Sequence, residues 1–319
     1  MDIDLVYMWV DGNDPAWRAK KNLYLPKDEQ LEVAAAGDCR YVSNDELKYS
    51  LRSAEKFAPW IHRIYIITDN QCPEWLDTAN ERVRIVDHTE IIPKEYLPLF
   101  NAASIEWYMA NVPGLSEHFL FANDDTFFGA PVAPDFFFDG KGNPIVRFKP
   151  LHIKKNGSLY SQTMWHNQRL VKERLGKKFT LAPHHNIDAY RKSWVNQAIE
   201  EFRPEVEAVS RCRFRERGHI DRYAADCYAI ARLGATMRRV GRYDRAKSWR
   251  EVVAGFFAKR YMTDSRCIPL TVPDFWQVLR RYNPVLFALN DSETATDADR
   301  ARMRRFLEEM FPEKSSFEK

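Results

Sequence analysis

The sequence lacks the glycine-rich loops that cradle nucleotides. Its 319 residues hold only 12 glycines, with no GxxxxGK[ST], no GxGxxG and no GxSxG. That excludes an ATP-type phosphate loop, a dinucleotide fingerprint and a hydrolase nucleophile elbow. Five cysteines (Cys39, Cys72, Cys212, Cys227, Cys267) are odd in number and form no CxxC pair, so neither a disulfide framework nor a zinc-finger signature is present. No apolar stretch approaches the roughly 18 residues of a membrane span. The start, MDIDLVYMWVDGNDP, is acidic and meets Asp11 within a few residues, unlike a signal peptide. Neither sign of charge dominates: 48 Lys and Arg stand against 45 Asp and Glu, a net of +3. A global field for nucleic acid is therefore missing, and no nucleic-acid partner is expected. These absences point to a cytoplasmic, soluble chain with no transmembrane segment, the inner face of the membrane being its peripheral alternative; oligomeric state stays open.

What is present is a core. Hydrophobic residues make up 45% of the chain and aromatics 13%, enough for one large domain or two small ones. Basic charge is concentrated in residues 211–250, where twelve Lys or Arg face four acids, a net of +8 that leaves −5 for the rest. Most of these arginines read as a solvated surface; a few could line a pocket for a phosphorylated ligand.

The first half alternates strands and helices. Leu5–Val10, Arg63–Thr68, Val83–Val86 and Phe119–Ala122 read as buried strands, each ending on polar, mostly acidic residues. Ser43 to Glu46 reads as a capping box opening a helix through Leu47, Leu51 and Ala54. This pattern predicts an α/β fold, a mostly parallel sheet with flanking helices, whose ligand edge lies at the strands' carboxyl ends. The second half, 138–319, reads as mainly helical, with helices predicted over Asn186–Phe202, 222–233, 273–282 and after Thr296. Residues 138–182 read as an insertion or a mobile loop.

Four clusters could carry chemistry. Asn123-Asp124-Asp125 places two carboxylates at a strand end, a site for a hard cation such as Mg²⁺ or Mn²⁺, although Asp pairs are also common in turns. Asn290-Asp291 follows another apolar run and reads alone as a cap or Asx turn; beside Asp124 or Asp125 it would complete an oxygen shell. His184-His185 is predicted at a helix N-terminus, which favours neutral imidazole and hence a proton acceptor, the alternative being an exposed histidine without a role. Arg213-Phe214-Arg215, if a strand, puts two guanidinium groups on one face; surface salt bridging is the alternative. Tyr7, Trp9 and Trp17 could stack on a base or simply fill the core.

Together these segments resemble the Stealth family of sugar-phosphate transferases, which includes bacterial capsular polysaccharide phosphotransferases and the lysosomal-enzyme N-acetylglucosamine-1-phosphotransferase. Asp4 to Pro15 resembles the first family block. The second, long and specific, includes Arg40, Asn44–Ser53, Ile64–Gln71, Val86-Asp87-His88, Leu97–Asn101 and Phe121–Gly129. Pro183-His184 through Arg213-Phe214-Arg215 resembles the third, and Leu289-Asn290-Asp291 the fourth. The chain departs from the family pattern at Leu181 and at Gly218-His219, and it lacks the inserted modules of the animal enzymes.

The resemblance implies transfer of a hexose-1-phosphate, such as a HexNAc-1-phosphate, from a UDP-sugar to a glycan or polysaccharide hydroxyl, with UMP leaving and a phosphodiester formed. It implies Mg²⁺ or Mn²⁺ held by Asp124, Asp125, Asn290 and Asp291. His184 is implied as general base with His185 as the other candidate, and Arg215 with Arg213 at the transferred phosphate. Asp4, Trp9, Asp11, Arg40, Asp69 and Asn101 would shape the donor pocket. Residues 1–137 would bind the nucleotide sugar and 138–319 complete the same catalytic domain. The rivals are a metal-dependent glycosyltransferase that releases UDP and a non-catalytic nucleotide-sugar or glycan-binding protein.

Overall fold

A computed structural model describes residues 1–26, 36–151, 153–259 and 261–319. Its central sheet has five strands in the order β3-β2-β1-β4-β8, the last being Asp188–Arg191. Strands β1 (Ile3–Met8), β2 (Ile64–Thr68), β3 (Val83–Asp87) and β4 (His118–Asn123) run parallel. The expected mostly parallel α/β sheet is thus present. Both its faces are covered, which is why its central strands are continuous apolar runs rather than alternating ones. Leu5, Tyr7, Ile64 and Ile66 pack with Leu47, Leu51 and Ala54 of a helix on one face; Val6, Tyr65, Ile67 and Phe119 pack with Ile105 and Met109 on the other.

The connections set the remaining elements. Helix α1 (Pro15–Leu23) is capped by Asp14 and α2 (Glu46–Phe57) precedes β2. Short helices α3 (His88–Ile91) and α4 (Ala102–Ile105) lead toward β4. A second sheet, order β10-β11-β5, joins β5 (Thr126–Phe128) from the first half to β10 (Ser265–Pro269) and β11 (Leu286–Asn290). A third, β7-β6-β9, consists of β6 (Ile145–Pro150), β7 (Leu181–Pro183) and β9 (Thr236–Arg239). Among the described residues, further α-helices are α5 (Leu159–Leu175), α6 (Lys192–Glu201), α7 (Arg203–Ser210), α8 (Tyr223–Tyr228), α9 (Trp249–Phe257), α10 (Phe275–Tyr282) and α11 (Asp297–Met310).

Three expectations need correction. Residues 138–182 are not simply a loop: they supply β6, α5 and β7 to a packed cluster around Phe148 and Val171. The helix expected over Asn186–Phe202 begins only at Lys192, because Asp188–Arg191 forms β8 and pairs antiparallel with β4, Tyr190 opposite Phe119. The capping box is replaced by another turn: Asp45 takes a left-handed conformation, φ 67°, and the Glu46 carboxylate turns back to accept from the backbone and side-chain amides of Asn44. Among the described residues, no helix is long and apolar enough to cross a membrane.

Candidate active site

A cleft of about 620 Å³ opens at the carboxyl ends of β1 and β4, where an α/β sheet presents its loops. One wall is acidic. The turn after β4 carries Asp124 and Asp125, and β5 then pairs antiparallel with β11. Leu289 N–H donates to the Asp125 carbonyl at 3.1 Å, so Asn290 and Asp291 lie along the same wall. This pairing creates the proximity that spacing could not reveal.

Glu46, at the first turn of α2, belongs to this wall and is missed by the motif reading. Burial pushes its carboxyl up to about 7, and Asp125 adds to the rise. Burial likewise raises Asp124 well above the usual carboxylate range, with Glu46 and Asp125 contributing. Three carboxylates crowded in this way repel one another, and oxygen donors of this kind suit a hard divalent cation. Asp291 differs: Arg300 grips it through Nε at 2.8 Å and Nη2 at 3.2 Å. Its carboxylate holds α11 to the wall, so Asp124, Asp125 and the Asn290 side chain are the better candidates to hold a cation, with Asp125 shared with His185.

The histidines stand opposite in character. His184 is 5% exposed and its Nδ1 lies 3.1 Å from Ser265 Oγ and 3.4 Å from Asn186 Nδ2. Burial lowers its pKa to about 3, with Lys149 and His185 reinforcing the shift, so the imidazole is neutral. No helix N-terminus is involved: His184 follows β7, and desolvation does what the expected dipole was to do. A proton on Nδ1 given to Ser265 Oγ would leave Nε2 with a lone pair, whereas Nδ1 accepting from Asn186 Nδ2 would put the proton on Nε2. His185 instead places Nε2 3.1 Å from both Asp125 carboxylate oxygens.

The basic groups separate. Arg215 and Arg40 line the cleft, and burial together with the nearby Arg215 holds Arg40 down to about 10, still protonated at neutral pH. Arg213 does not join them. The Arg-Phe-Arg segment is a turn, not a strand, and Arg213 is exposed with its guanidinium over the Tyr24 ring at 4.8 Å. Phe214 stacks on Phe100 at 5.3 Å, Phe100 N–H donates to the Arg213 carbonyl, and Asn101 Nδ2 donates to the carbonyls of Cys212 and Phe214. Asn101 is fully buried, so it pins the turn that presents Arg215.

Among the remaining expected donor-pocket residues, Trp9 and Asp69 line the cleft. Asp69 takes Lys20 at 2.6 Å through Oδ1, and its buried Oδ2 has no partner; nearby, the buried His88 Nδ1 and Thr68 Oγ1 are also unpartnered. Asp11 braces the turn after β1, its backbone exchanging hydrogen bonds with the Gln71 amide. Asp4 is not in the cleft. It sits at the amino end of β1, fully buried, and accepts from the N–H groups of Arg63 and Ser116 and from His62. Its role is to tie strand starts together. The cleft floor holds a group that the motifs did not mark: Arg222, which donates to Asp188 and, at 3.0 Å, to Tyr190 Oη, with Glu106 at 3.6 Å. Burial pushes Asp221 beside it up to about 7 and raises Glu106.

The class that fold and cleft define is an α/β protein with a mostly parallel sheet and a polar cleft at the carboxyl ends of its strands. Family models place it further: Stealth protein conserved region 1 matches residues 1–29 and conserved region 2 matches residues 40–146. The receptor polysaccharide phosphotransferase WefC of Streptococcus oralis is 30% identical over 349 residues, covering 99% of each chain. The exopolysaccharide phosphotransferase SCO6021 of Streptomyces coelicolor is 41% identical over 221 residues, 67% of this chain and 40% of that protein. The chain belongs to the Stealth family. It spans about two fifths to half the length of the Streptomyces relatives it matches and nearly all of WefC. The solved galactosyltransferase LgtC aligns over 98% of this chain and 97% of its own with a TM-score of 0.49 and 9% identity.

Proposed function

We propose that this chain moves a hexose-1-phosphate from a UDP-sugar to a hydroxyl of a glycan or polysaccharide, forming a phosphodiester and releasing UMP. One observation carries the reading: a single cleft gathers Asp124, Asp125 and Asn290, the histidines 184 and 185, and the arginines 40 and 215. Such a set suits phosphoryl transfer, which asks for positioning and for neutralised charge on non-bridging oxygens more than for covalent chemistry. The names of the relatives, polysaccharide phosphotransferases, support the substrate class.

In this reading Arg215 and Arg40 bind the transferred phosphate, and Arg213 and Asn101 act at one remove by fixing the turn that carries Arg215. Neutral His184 accepts the acceptor hydroxyl's proton at Nε2, with Ser265 holding the tautomer. His185 and Asp125 orient each other beside it. Trp9 and Asp69 face the donor nucleoside, where the unpartnered atoms of Asp69, His88 and Thr68 are free to take hydrogen bonds. A Mg²⁺ or Mn²⁺ ion would neutralise the donor diphosphate, and Asp124, Asp125 and Asn290 would hold it. Residues 1–137 and 138–319 act as one catalytic domain, which β8 in the central sheet and the β5–β11 pairing favour. The reaction is cytoplasmic.

The test is incubation with UDP-sugars, Mg²⁺ and candidate glycans. UMP release that depends on acceptor supports the proposal. UDP release would make the protein a glycosyltransferase, and binding without turnover across the panel a lectin-like binder. His184→Ala should cost about 10²–10⁴ in rate if it is the base; a loss under about tenfold moves that role to His185.

A further inference from the structure

Helix α9 (Trp249–Phe257) contributes no buried residue to the protein. Trp249 is 72% exposed, Val253 40%, Phe256 66% and Phe257 78%. These positions recur at i, i+4, i+7 and i+8 and fall within an arc of roughly 100° on a helical wheel. The spacing is that of a core-facing stripe, yet among the described residues nothing buries it. Isolated exposed apolar residues need no explanation, but three aromatics and a valine on one stripe do.

The surroundings say what kind of surface would. Between residues 239 and 259, Arg239, Arg242, Lys247, Arg250 and Lys259 are exposed, against one exposed acid, Glu251. Glu251 is turned onto the Lys247 backbone N–H at the start of the helix. Asp244, the other acid, is spent on the N–H groups of Gly241 and Asp264. None of the five cations forms an ion pair with a described residue. Arg250 borders the apolar stripe, where its stem can lie along the aromatics with the guanidinium outward. An exposed aromatic stripe flanked by unmatched cations is complementary to an anionic lipid surface, with rings at the depth of the headgroups and cations at the phosphates. A protein partner would offer the stripe apolar contact but gives no reason for the excess of cations on and next to the helix, Lys247, Arg250 and Lys259.

We propose that α9 is an interfacial helix by which this protein docks on anionic bilayers, with Trp249, Phe256 and Phe257 inserted and Lys247, Arg250 and their neighbours on the lipid phosphates. This rests on the surface alone and does not depend on the reaction proposed above.

The test is co-sedimentation of the full chain with phosphatidylglycerol–phosphatidylcholine vesicles and with pure phosphatidylcholine vesicles, at low and high salt. Binding should favour the anionic vesicles by at least about tenfold and weaken with salt, each cation near the surface contributing about fivefold. The triple variant Trp249→Ser, Phe256→Ser, Phe257→Ser should lose binding by more than about tenfold while keeping its thermal unfolding transition, since these side chains pack against little. Lys247→Glu with Arg250→Glu should weaken binding to anionic vesicles only. Leu23→Ser, at a side chain 82% exposed on α1, should change nothing. Equal partition to both vesicles, or a triple variant that binds like the parent, overturns the proposal. So does a concentration-dependent dimer that the triple variant abolishes without any vesicle binding, which would make a second copy the occupant.

Discussion

Replacing Glu46 with glutamine should change stability in opposite directions on the two sides of neutrality. In the folded protein the carboxyl titrates at about 7 rather than its ordinary 4.5, because it is buried beside Asp125. An acid with a raised folded pKa holds its proton more tightly in the native state. The native state is therefore unpenalised below the unfolded value, loses stability as pH climbs from 4.5 toward 7, and carries the whole penalty above it. A gap of about two and a half units corresponds to about 3 kcal/mol. Glutamine removes that term, but it offers one oxygen where Glu46 offers two to Asn44, so one buried hydrogen bond is lost. That loss costs about 1–2 kcal/mol at every pH. The variant should be less stable than the parent by about 1–2 kcal/mol near pH 4 and more stable by a similar amount near pH 8. Urea unfolding of EDTA-treated protein at both pH values measures this, with m-values compared to confirm a common unfolded state. Added Mg²⁺ should stabilise the parent more at the higher pH, where the carboxylates it would bind are ionised. A variant destabilised equally at both pH values would refute the argument, because the acidic wall would then not be under charge strain.

Other substitutions probe separate parts of the cleft. Asp125→Ala should abolish transfer with the unfolding midpoint kept within a few degrees; full activity would remove Asp125 from the cation site. Arg215→Lys keeps the charge but loses the guanidinium fork, so kcat/KM should fall by at least about tenfold, and unchanged kinetics would place Arg215 outside the phosphate site. Arg222→Ala strands Asp188 and Glu106 without their cation and should cost about 3–5 kcal/mol by chemical denaturation; under 1 kcal/mol would mean that those acids are already protonated. Gly12→Ala would bring a Cβ within 2.7 Å of the Tyr41 backbone, next to Arg40. It should destabilise by about 1–3 kcal/mol and weaken binding of UDP, as read by calorimetry.

Much of the central sheet was legible because its strands are buried on both faces and therefore read as short apolar runs with polar ends. The same burial hid β8. Asp188–Arg191 shows no alternation, and Ile187, Tyr190 and Trp194 fit a helical spacing as well as they fit a strand running into α6; only the pairing with β4 decides. Long-range pairing also explains the acidic wall. Asp124 and Asp125 stood out as a local pair, whereas the neighbourhood of Asn290 depends on an antiparallel match between β5 and β11 that no local signal encodes. Glu46 was hidden differently: its spacing from Ser43 has a ready local explanation, a capping box, while its place in the acidic wall depends on the distant turn after β4.

Position along a strand separates Asp4 from Asp69 and Asp124, although all three are acids beside apolar runs. Asp69, Asp124 and Asp125 follow their strands and are delivered to the carboxyl edge, where loops from several strands meet. Asp4 lies at the second residue of β1, so the same sheet geometry carries it to the opposite edge, several residues from Trp9. There the starts of β2 and β4 offer unpaired N–H groups from Arg63 and Ser116, and a buried carboxylate is stable only where such donors converge. The distinction was available in the sequence, since Asp4 precedes Leu5-Val6-Tyr7 while the others follow their runs. In a parallel sheet an acid before the apolar run closes the bottom of the fold, and an acid after it faces the ligand; substituting Asp4 with Asn should accordingly lower the unfolding midpoint while leaving the donor KM of the folded fraction unchanged, and a raised KM at unaltered stability would return Asp4 to the cleft.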